Sequence, residues 1–282
     1  MVGKRSESLG DCSSLSTPTS HVLDISNRTP IMADFHNSSE RNEDLDTSTE
    51  TQLNEIRRNS RTIEGFITRY ILNTRSVFDG EGLKREAFGE KDTNKPHKTI
   101  LLVGETGTGK STVINAMVNY LLGVESKDRV WCEIIETKEN QTNTPTNAVT
   151  VYDVFTEHDP LSLTIIDTPG FGHTDGIQED LNVAEGLHEL IRSKDEVHEI
   201  DAVCLVVTST TAHITDRRRY IFNAVLSLFG HDVEKNIVVF VTHAPRKPTN
   251  VIKAIKEFKI PCAQTDKGEP VYFRFDNSSC EY

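Results

Sequence analysis

Apolar residues beyond about residue 97 come in short continuous runs that alternate with segments of helical periodicity. The runs lie at residues 99–103, 149–155, 161–166, 202–207, 237–241 and 271–275. The helical segments lie at residues 113–122, 181–191, 217–229 and 251–258. This alternation predicts an α/β domain with a mostly parallel six-stranded sheet and helices on both faces. Since no helix separates 149–155 from 161–166, these two strands are expected to pair as a hairpin, with one antiparallel strand at the sheet edge.

The first 97 residues follow a different pattern. Residues 1–50 are rich in Ser, Thr, Asp, Glu and Asn without a sustained period, which predicts a disordered acidic tail. Residues 51–97 are predicted to form an amphipathic helix over 51–72 and then a linker. The helix is expected to pack on the domain at 98–282 or on another copy, and the alternative is a docking helix for a partner. Its apolar face comprises Ile63, Phe66, Ile67, Tyr70 and Ile71.

The composition limits the partners and the location. The chain of 282 residues has a formal net charge of −12, which disfavours nucleic acid as a partner because like charges repel. Its five cysteines lack the spacing of a zinc site or a disulfide framework. No apolar run has the length of a transmembrane helix, and the first residues lack a signal-peptide pattern. The composition therefore predicts a cytoplasmic protein without a transmembrane segment.

A glycine-rich loop follows the apolar run at 99–103. Residues 104–111 (GETGTGKS) match G-x-x-x-x-G-K-[ST] at every fixed position, between a predicted strand and a predicted helix. Such a loop turns backbone N–H groups and a helix N-terminus toward phosphate oxygens. Lys110 is predicted to bind the β- and γ-phosphates, and the Ser111 hydroxyl to bind Mg²⁺. The predicted phosphate-binding residues are Gly104, Glu105, Thr106, Gly107, Thr108, Gly109, Lys110, Ser111 and Thr112.

A second motif stands at the end of the predicted strand 161–166. Asp167 is followed by Thr-Pro-Gly, and a single acid at this position is predicted to hold Mg²⁺ through water, opposite Ser111. The Gly170 N–H is predicted to contact the γ-phosphate and to order the segment that follows. A motor or transport ATPase more often has two adjacent acids at this strand end. The motif therefore points to a switch GTPase, and a plain Pro-Gly turn is the alternative.

Taken together, the motifs resemble those of the AIG1-type (immunity-associated) GTPases, relatives of septins and of the chloroplast outer-envelope import GTPases. The resemblance covers about residues 98–282. The segments that carry it are 104–115 (GETGTGKSTVIN), 166–172 (IDTPGFG), 214–222 (ITDRRRYIF), 228–230 (LFG) and 236–242 (NIVVFVT). The resemblance implies a P-loop NTPase G domain that binds GTP or GDP with Mg²⁺ and forms homo-oligomers across the nucleotide face.

The resemblance also implies a threonine of the first switch, ahead of the predicted edge hairpin. Thr142, Thr144, Thr146 and Thr150 all lie in this region, and Thr142 and Thr146 are the predicted metal ligands. A polar loop without a ligand role is the alternative for each of them.

The expected guanine-binding segment departs from the usual motif. After the strand at 237–241 the chain reads Thr242-His243-Ala244-Pro245, with Pro245 where guanine recognition normally requires an aspartate. The Thr-His-Ala stretch resembles the import GTPases, which also lack this aspartate, so Thr242 and His243 are predicted base contacts. Asn277 lies in a segment that resembles the last guanine loop of the family. A strand-ending histidine and a turn-forming asparagine are the alternatives.

The residues expected to act in hydrolysis are Lys110, Thr146 and His173. Phe171 follows Gly170 and cannot orient a water molecule as glutamine does, so His173 or Asp175 is the predicted substitute. The chain is therefore expected to be a slow GTPase, a switch or nucleotide-dependent assembly domain with an unknown protein partner. The alternative is a non-catalytic nucleotide-binding module.

The sequence stops at Tyr282, soon after the last predicted strand, whereas a complete G domain continues into a closing helix. We expect that the chain is a fragment or a short isoform, or that the helix predicted over 51–72 covers the exposed face.

Overall fold

The fold is an α/β domain with a mixed sheet, as predicted. The computed structural model describes residues 43–80, 82–136, 148–157, 159–170, 185–187, 190, 200–212, 219, 222–223, 231–244 and 247–276. In chain order the elements are α1 (Glu43–Asn59), β1 (Arg61–Ile63), β2 (Thr68–Ile71), β3 (Arg75–Asp79), β4 (Leu83–Phe88), β5 (His97–Gly104), α2 (Lys110–Leu121), β6 (Val130–Glu133), β7 (Val149–Val154), β8 (Ser162–Asp167), β9 (Ala202–Thr208), β10 (Ile237–Thr242), α3 (Thr249–Glu257) and β11 (Tyr272–Arg274). Short 3-10 helices lie at Ser126–Asp128 and His231–Asn236.

The main sheet has eight strands in the order β11-β10-β9-β5-β8-β7-β4-β3. Strand β5 pairs in parallel with β8 on one side and with β9 on the other. Beyond β9, strands β10 and β11 continue the parallel pairing. Strand β7 is antiparallel to β8, as predicted for the hairpin, but it is not an edge strand. It pairs in parallel with β4, which in turn pairs antiparallel with the edge strand β3. The six predicted strands are all present, and two strands from the N-terminal part extend the sheet beyond them.

The prediction for residues 51–97 is wrong in most of its length. Helix α1 begins at Glu43, inside the segment predicted to be a disordered tail, and ends at Asn59, well before residue 72. The apolar residues from Ile63 to Ile71 lie in strands β1 and β2 and the turn between them, where Phe66 is 80% exposed. Gly65 and the β-branched residues around it favour strands over a helix. Residues 1–42 of the predicted tail lie outside the described residues.

The predicted linker also contains structure. Residues 79–82, predicted to be part of the linker, instead connect β3 to β4, which pair as an antiparallel hairpin. Strand β4 is fixed on β7 by Arg85, whose Nε and Nη2 donate to the two carboxylate oxygens of Asp153 at 2.8 and 3.2 Å. Both side chains are largely buried, so the pair joins this extension firmly to the predicted domain.

Apolar side chains cover both faces of the main sheet. One cluster contains Leu101 and Val239 from the sheet and Val251 from α3. The other contains Leu102 and Phe240 from the sheet and Val113 from α2. Helix α1 adds Leu53 and Ile56 to this second cluster, so it packs on the face that carries α2.

Two asparagines of α2 act as hydrogen-bonding partners for the strand beside it. Asn119 donates to the Cys132 carbonyl at 2.7 Å and accepts from its N–H at 2.9 Å. Asn115 accepts from the N–H groups of Ile134 and Ile135, both at 3.0 Å, and donates to the Ile135 carbonyl at 2.8 Å. Both asparagines are 1% exposed. They replace the backbone partner that β6 lacks on this side.

Strand β6 pairs on its other side with β2 in a small sheet of three strands. Arg69 of β2 donates to both carboxylate oxygens of Glu133 at 2.7 and 3.1 Å, and Glu133 is only 1% exposed. The N-terminal part is thus bonded to α2 through β6.

We expect Asn115→Ala to lower the free energy of unfolding by about 2–4 kcal/mol, because it leaves two buried backbone N–H groups without an acceptor. Urea unfolding followed by circular dichroism measures the change. The control is Asn54→Ala, which removes an exposed side chain bonded to Arg57 at 3.0 Å and should change stability by less than about 0.5 kcal/mol. A loss at Asn115 no larger than that of the control would contradict the anchoring role.

Candidate functional site

The site lies at the carboxyl ends of the parallel strands. Strand β5 leads into the predicted P-loop, and its neighbour β8 ends at Asp167, which is paired with Leu102. On the other side of β5, β9 and β10 end side by side, with Thr242 paired to Thr208. In open α/β sheets ligands bind at this edge, where successive loops diverge.

The loop between β5 and α2 has the backbone shape that its glycines predict. Gly107 has a φ of 78° and Gly109 a φ of 86°, in the left-handed region that other residues rarely adopt. The Thr108 hydroxyl donates to the Glu105 carbonyl at 2.8 Å and so closes the loop on itself. Helix α2 begins at Lys110, so its first turn, with Ser111 and Thr112, faces the loop.

The Lys110 side chain is folded back onto the loop. Its Nζ donates to the carbonyls of Gly104 and Glu105 at 2.9 and 3.2 Å. Burial lowers the pKa of this ammonium, and the negative charges of Asp167 and Glu105 oppose the shift. The lysine is therefore a buried cation whose present partners are carbonyl oxygens, which phosphate oxygens can replace.

Asp167 is the second buried charge of the site. Its residue is 2% exposed, and its Oδ1 has no hydrogen-bond partner in the described part of the chain. Burial raises the pKa of this carboxyl to about 6, and the Lys110 ammonium opposes the shift. A buried carboxylate oxygen without a partner destabilises the fold unless a cation or a hydrogen-bond donor binds it.

This arrangement fits a magnesium ion bound with a nucleotide. Mg²⁺ prefers oxygen ligands and, in nucleotide sites, is held by one or two protein oxygens together with phosphates and water. Asp167 supplies such an oxygen, and Ser111 in the first turn of α2 supplies the predicted hydroxyl. Across the described ranges, no three His, Cys, Asp or Glu side chains cluster as a metal site made by protein alone.

Gly170 lies directly against the P-loop. The Thr106 hydroxyl donates to the Gly170 carbonyl at 3.1 Å. A Cβ at position 170 would lie 2.6 Å from the Thr106 Cα and 2.7 Å from its backbone nitrogen. Only glycine permits this approach, so the end of the Asp-Thr-Pro-Gly motif and the phosphate loop are in backbone contact.

The predicted base contacts lie beside the loop. The Thr242 hydroxyl donates to the Thr108 carbonyl at 2.7 Å and is buried, so in this structure it braces the P-loop. His243 is exposed and has a φ of 51°, with its ring close to Gly109. Its position next to the loop is compatible with a nucleotide contact, and the base-binding role of both residues stays a prediction.

Other predicted residues are not brought into the described site. Thr142, Thr144, Thr146, His173 and Asn277 lie outside the described residues, as do Phe171, Asp175 and Pro245. Thr150, the fourth threonine considered for the first switch, is buried in β7 opposite Asp167, and its hydroxyl lies 3.4 Å from the Ala148 carbonyl. The roles assigned to these residues stay predictions.

Some buried polar residues that bond the elements around the site to one another were not predicted from the sequence. The Thr168 hydroxyl donates to the Leu102 carbonyl at 2.9 Å, and Thr168 is fully buried. It ties the start of the loop after β8 to the strand before the P-loop. Asn115 and Asn119 were missed as well, although polar residues four apart on an apolar helix face were a usable signal.

A sequence model of the AIG1 family matches residues 98–258, which is more than half of the chain and includes the P-loop, Asp167, Thr242 and His243. No curated protein matches the sequence. Toc33 from Arabidopsis thaliana in complex with GDP and Mg²⁺ is 15% identical with a TM-score of 0.44, and the match covers 64% of this chain and 71% of that chain.

Two further structures are similar at the same level. One is of the chloroplast translocon components atToc33 and psToc159, whose dimerisation is described as important for GTPase activity; it is 16% identical with a TM-score of 0.44, over 64% of this chain and 70% of that chain. The other is a probable GTP-binding protein engB, 21% identical with a TM-score of 0.37, over 64% of this chain and 93% of that chain. None of the described helices is long and apolar enough to cross a membrane.

Proposed function

Because this chain belongs to the AIG1 family, we propose that it binds GTP and GDP with Mg²⁺ and hydrolyses GTP slowly, as a switch or nucleotide-dependent assembly domain. The observation that carries the proposal is the pairing of a phosphate loop with an unpartnered buried carboxylate oxygen of Asp167. Phosphate oxygens would bind the loop, and a divalent cation would bind the carboxylate oxygen of Asp167.

The residues of the chain have separate tasks in this proposal. The backbone N–H groups of Gly107 to Ser111 surround the β-phosphate, and Lys110 exchanges its carbonyl partners for β- and γ-phosphate oxygens. Ser111 and Asp167 would hold the cation, which would complete the unpartnered Oδ1 of Asp167. When bound, Mg²⁺ neutralises charge that develops on the phosphates.

The hydrolytic step in this proposal depends on residues of the two switch segments. Thr146 and His173 are proposed to contribute to the site from the two switch segments, with His173 in place of the usual glutamine. Turnover is expected to be slow without a group from another molecule. Toc33, for which dimerisation is described as important for GTPase activity, supports a homo-oligomer across the nucleotide face as the source of that group.

Guanine selectivity is proposed from the family and from His243 beside the loop. The proposal for binding is tested by calorimetric titration of the purified chain with GTP, GDP and ATP in the presence of Mg²⁺. We expect heat with GTP and GDP and at least tenfold weaker binding of ATP. An absence of heat with GTP, or tighter binding of ATP, rejects the proposal.

A phosphate-release assay separates the slow GTPase from the alternative, a non-catalytic nucleotide-binding assembly module. Release of phosphate above that of Lys110→Ala identifies a GTPase. Binding without release identifies the assembly module, which Phe171 at the position after Gly170 favours. A cytoplasmic location and an unknown protein partner belong to the same proposal.

A further inference from the structure

The Thr106 side chain of the P-loop is bonded to the loop after β8. Its hydroxyl donates to the Gly170 carbonyl at 3.1 Å, whereas the Thr108 hydroxyl donates within its own loop. Consensus positions of the P-loop do not specify a hydroxyl at 106, because the motif leaves this residue free. The contact is therefore a property of this chain's own sequence.

The contact uses the carbonyl of Gly170 and not its N–H. Within the described residues this N–H has no backbone acceptor. A Cβ at 170 would lie 2.7 Å from the Thr106 nitrogen and still closer to the Thr106 hydroxyl, so the backbone of Gly170 lies directly against Thr106. The hydrogen bond and the backbone contact together hold Gly170 against the loop.

We propose that the Thr106 hydroxyl is a positioning group that pre-arranges Gly170 for a triphosphate and thereby sets the preference for GTP over GDP. The inference rests on the proposed function. A glycine already held at the loop needs less ordering when its N–H meets the γ-phosphate, so affinity for the triphosphate is higher. The diphosphate lacks the group that Gly170 meets and gains nothing from this arrangement.

The direction of the effect follows from which groups the bond uses. Thr106 engages the carbonyl of Gly170 and not its N–H, so the bond does not compete with a phosphate oxygen for that donor. Loss of the hydroxyl therefore removes the arrangement without freeing a new phosphate contact. The triphosphate is expected to lose affinity, and the diphosphate is expected to keep it.

The test measures the dissociation constants of GDP and of a non-hydrolysable GTP analogue, both with Mg²⁺, for the wild-type chain and three variants. Thr106→Val keeps the shape and removes the hydroxyl, and Thr106→Ala removes it without a branched side chain. Thr106→Ser keeps the hydroxyl and is the matched control. Thermal unfolding without nucleotide shows whether each variant is folded.

For Thr106→Val or Thr106→Ala we expect the analogue to bind about threefold to tenfold more weakly, the effect of one hydrogen bond, with GDP affinity changed by less than about twofold. Thr106→Ser should restore the wild-type ratio of the two affinities. Equal weakening of both nucleotides, tighter binding of the analogue, or failure of serine to restore the ratio overturns the inference and leaves the proposed function standing. A wild-type chain that binds neither nucleotide overturns both.

Discussion

Lys110→Ala is expected to weaken the binding of GTP and GDP by at least about 100-fold, the largest effect of any single change in this chain. The ammonium is buried at 8% exposure, and in the described part of the chain its hydrogen-bond partners are two loop carbonyls, so its charge is available to the phosphates. Charge-assisted bonds in a buried site are each worth about 1.5–3 kcal/mol, and this lysine is predicted to make two of them. Calorimetric titration with each nucleotide in Mg²⁺ measures the loss.

The control for this change is Lys253→Ala, because Lys253 lies on α3 with a side chain that is 74% exposed. Lys253 has the same charge and aliphatic stem as Lys110 but lies outside the P-loop. The Lys253→Ala variant should therefore bind nucleotides as the wild type does. Circular dichroism of Lys110→Ala should remain that of a folded chain. If Lys110→Ala binds nucleotides within a few-fold of the wild type, the P-loop does not hold the phosphates through Lys110.

Asp167→Asn is expected to have two opposite effects. In the absence of Mg²⁺ and nucleotide it should stabilise the chain above pH 6, because the folded state no longer has to bury an ionised carboxylate. Burial raises the pKa of Asp167 from 3.8 to about 6, which corresponds to about 3 kcal/mol of destabilisation once the group is ionised. The Lys110 ammonium loses a countercharge in the variant, so a stabilisation of about 1–3 kcal/mol is expected.

The sign of the pH dependence follows from the raised pKa. Between pH 3.8 and about 6 the folded state binds the proton and the unfolded state has released it, so stability falls as the pH rises through this window. Urea unfolding of the wild type and of Asp167→Asn at pH 4 and pH 7.5 measures the difference, which should be larger at the higher pH. Asp266→Asn is the matched control, because it makes the same substitution at an exposed position.

The second effect of Asp167→Asn concerns the metal. The neutral amide is a poorer ligand for a hard cation, so Mg²⁺ should no longer increase the affinity for GTP. In the wild type the same stimulation should decline below about pH 6, as the carboxyl takes up a proton that the cation must displace. Stimulation by Mg²⁺ that survives in Asp167→Asn would place the cation elsewhere.

The sequence predicted the core of the fold and the centre of the site because both depend on local patterns. The strand before the P-loop, the loop and the first turn of α2 follow one another in the chain, so a motif of eight residues defines them together. Asp167 joins them because a parallel neighbour of β5 must end at the same sheet edge. These features need no knowledge of distant packing.

What could not be predicted depends on contacts between distant segments. Residues 61–88 contain only short apolar stretches, and β2 and β4 become strands because β6 and β7 offer them partners far along the chain. The spacing of Ile63 and Tyr70 is compatible with a helix, and only the tertiary pairing decides against it. The Thr106–Gly170 contact was missed for the same reason, since its two residues belong to different loops.

The pairing of the N-terminal strands also determines when this chain can complete its fold during synthesis. Strand β2 can pair with β1 early, but its second partner, β6, is complete only after residue 133 has left the ribosome. The second partner of β4, β7, is complete only after residue 154. Until then the β3–β4 hairpin has an unpaired edge at β4 and leaves Leu83 without the neighbours that bury it. We therefore expect the β4 edge to remain unpaired while the phosphate loop is synthesised, and an unpaired strand edge can pair with other chains.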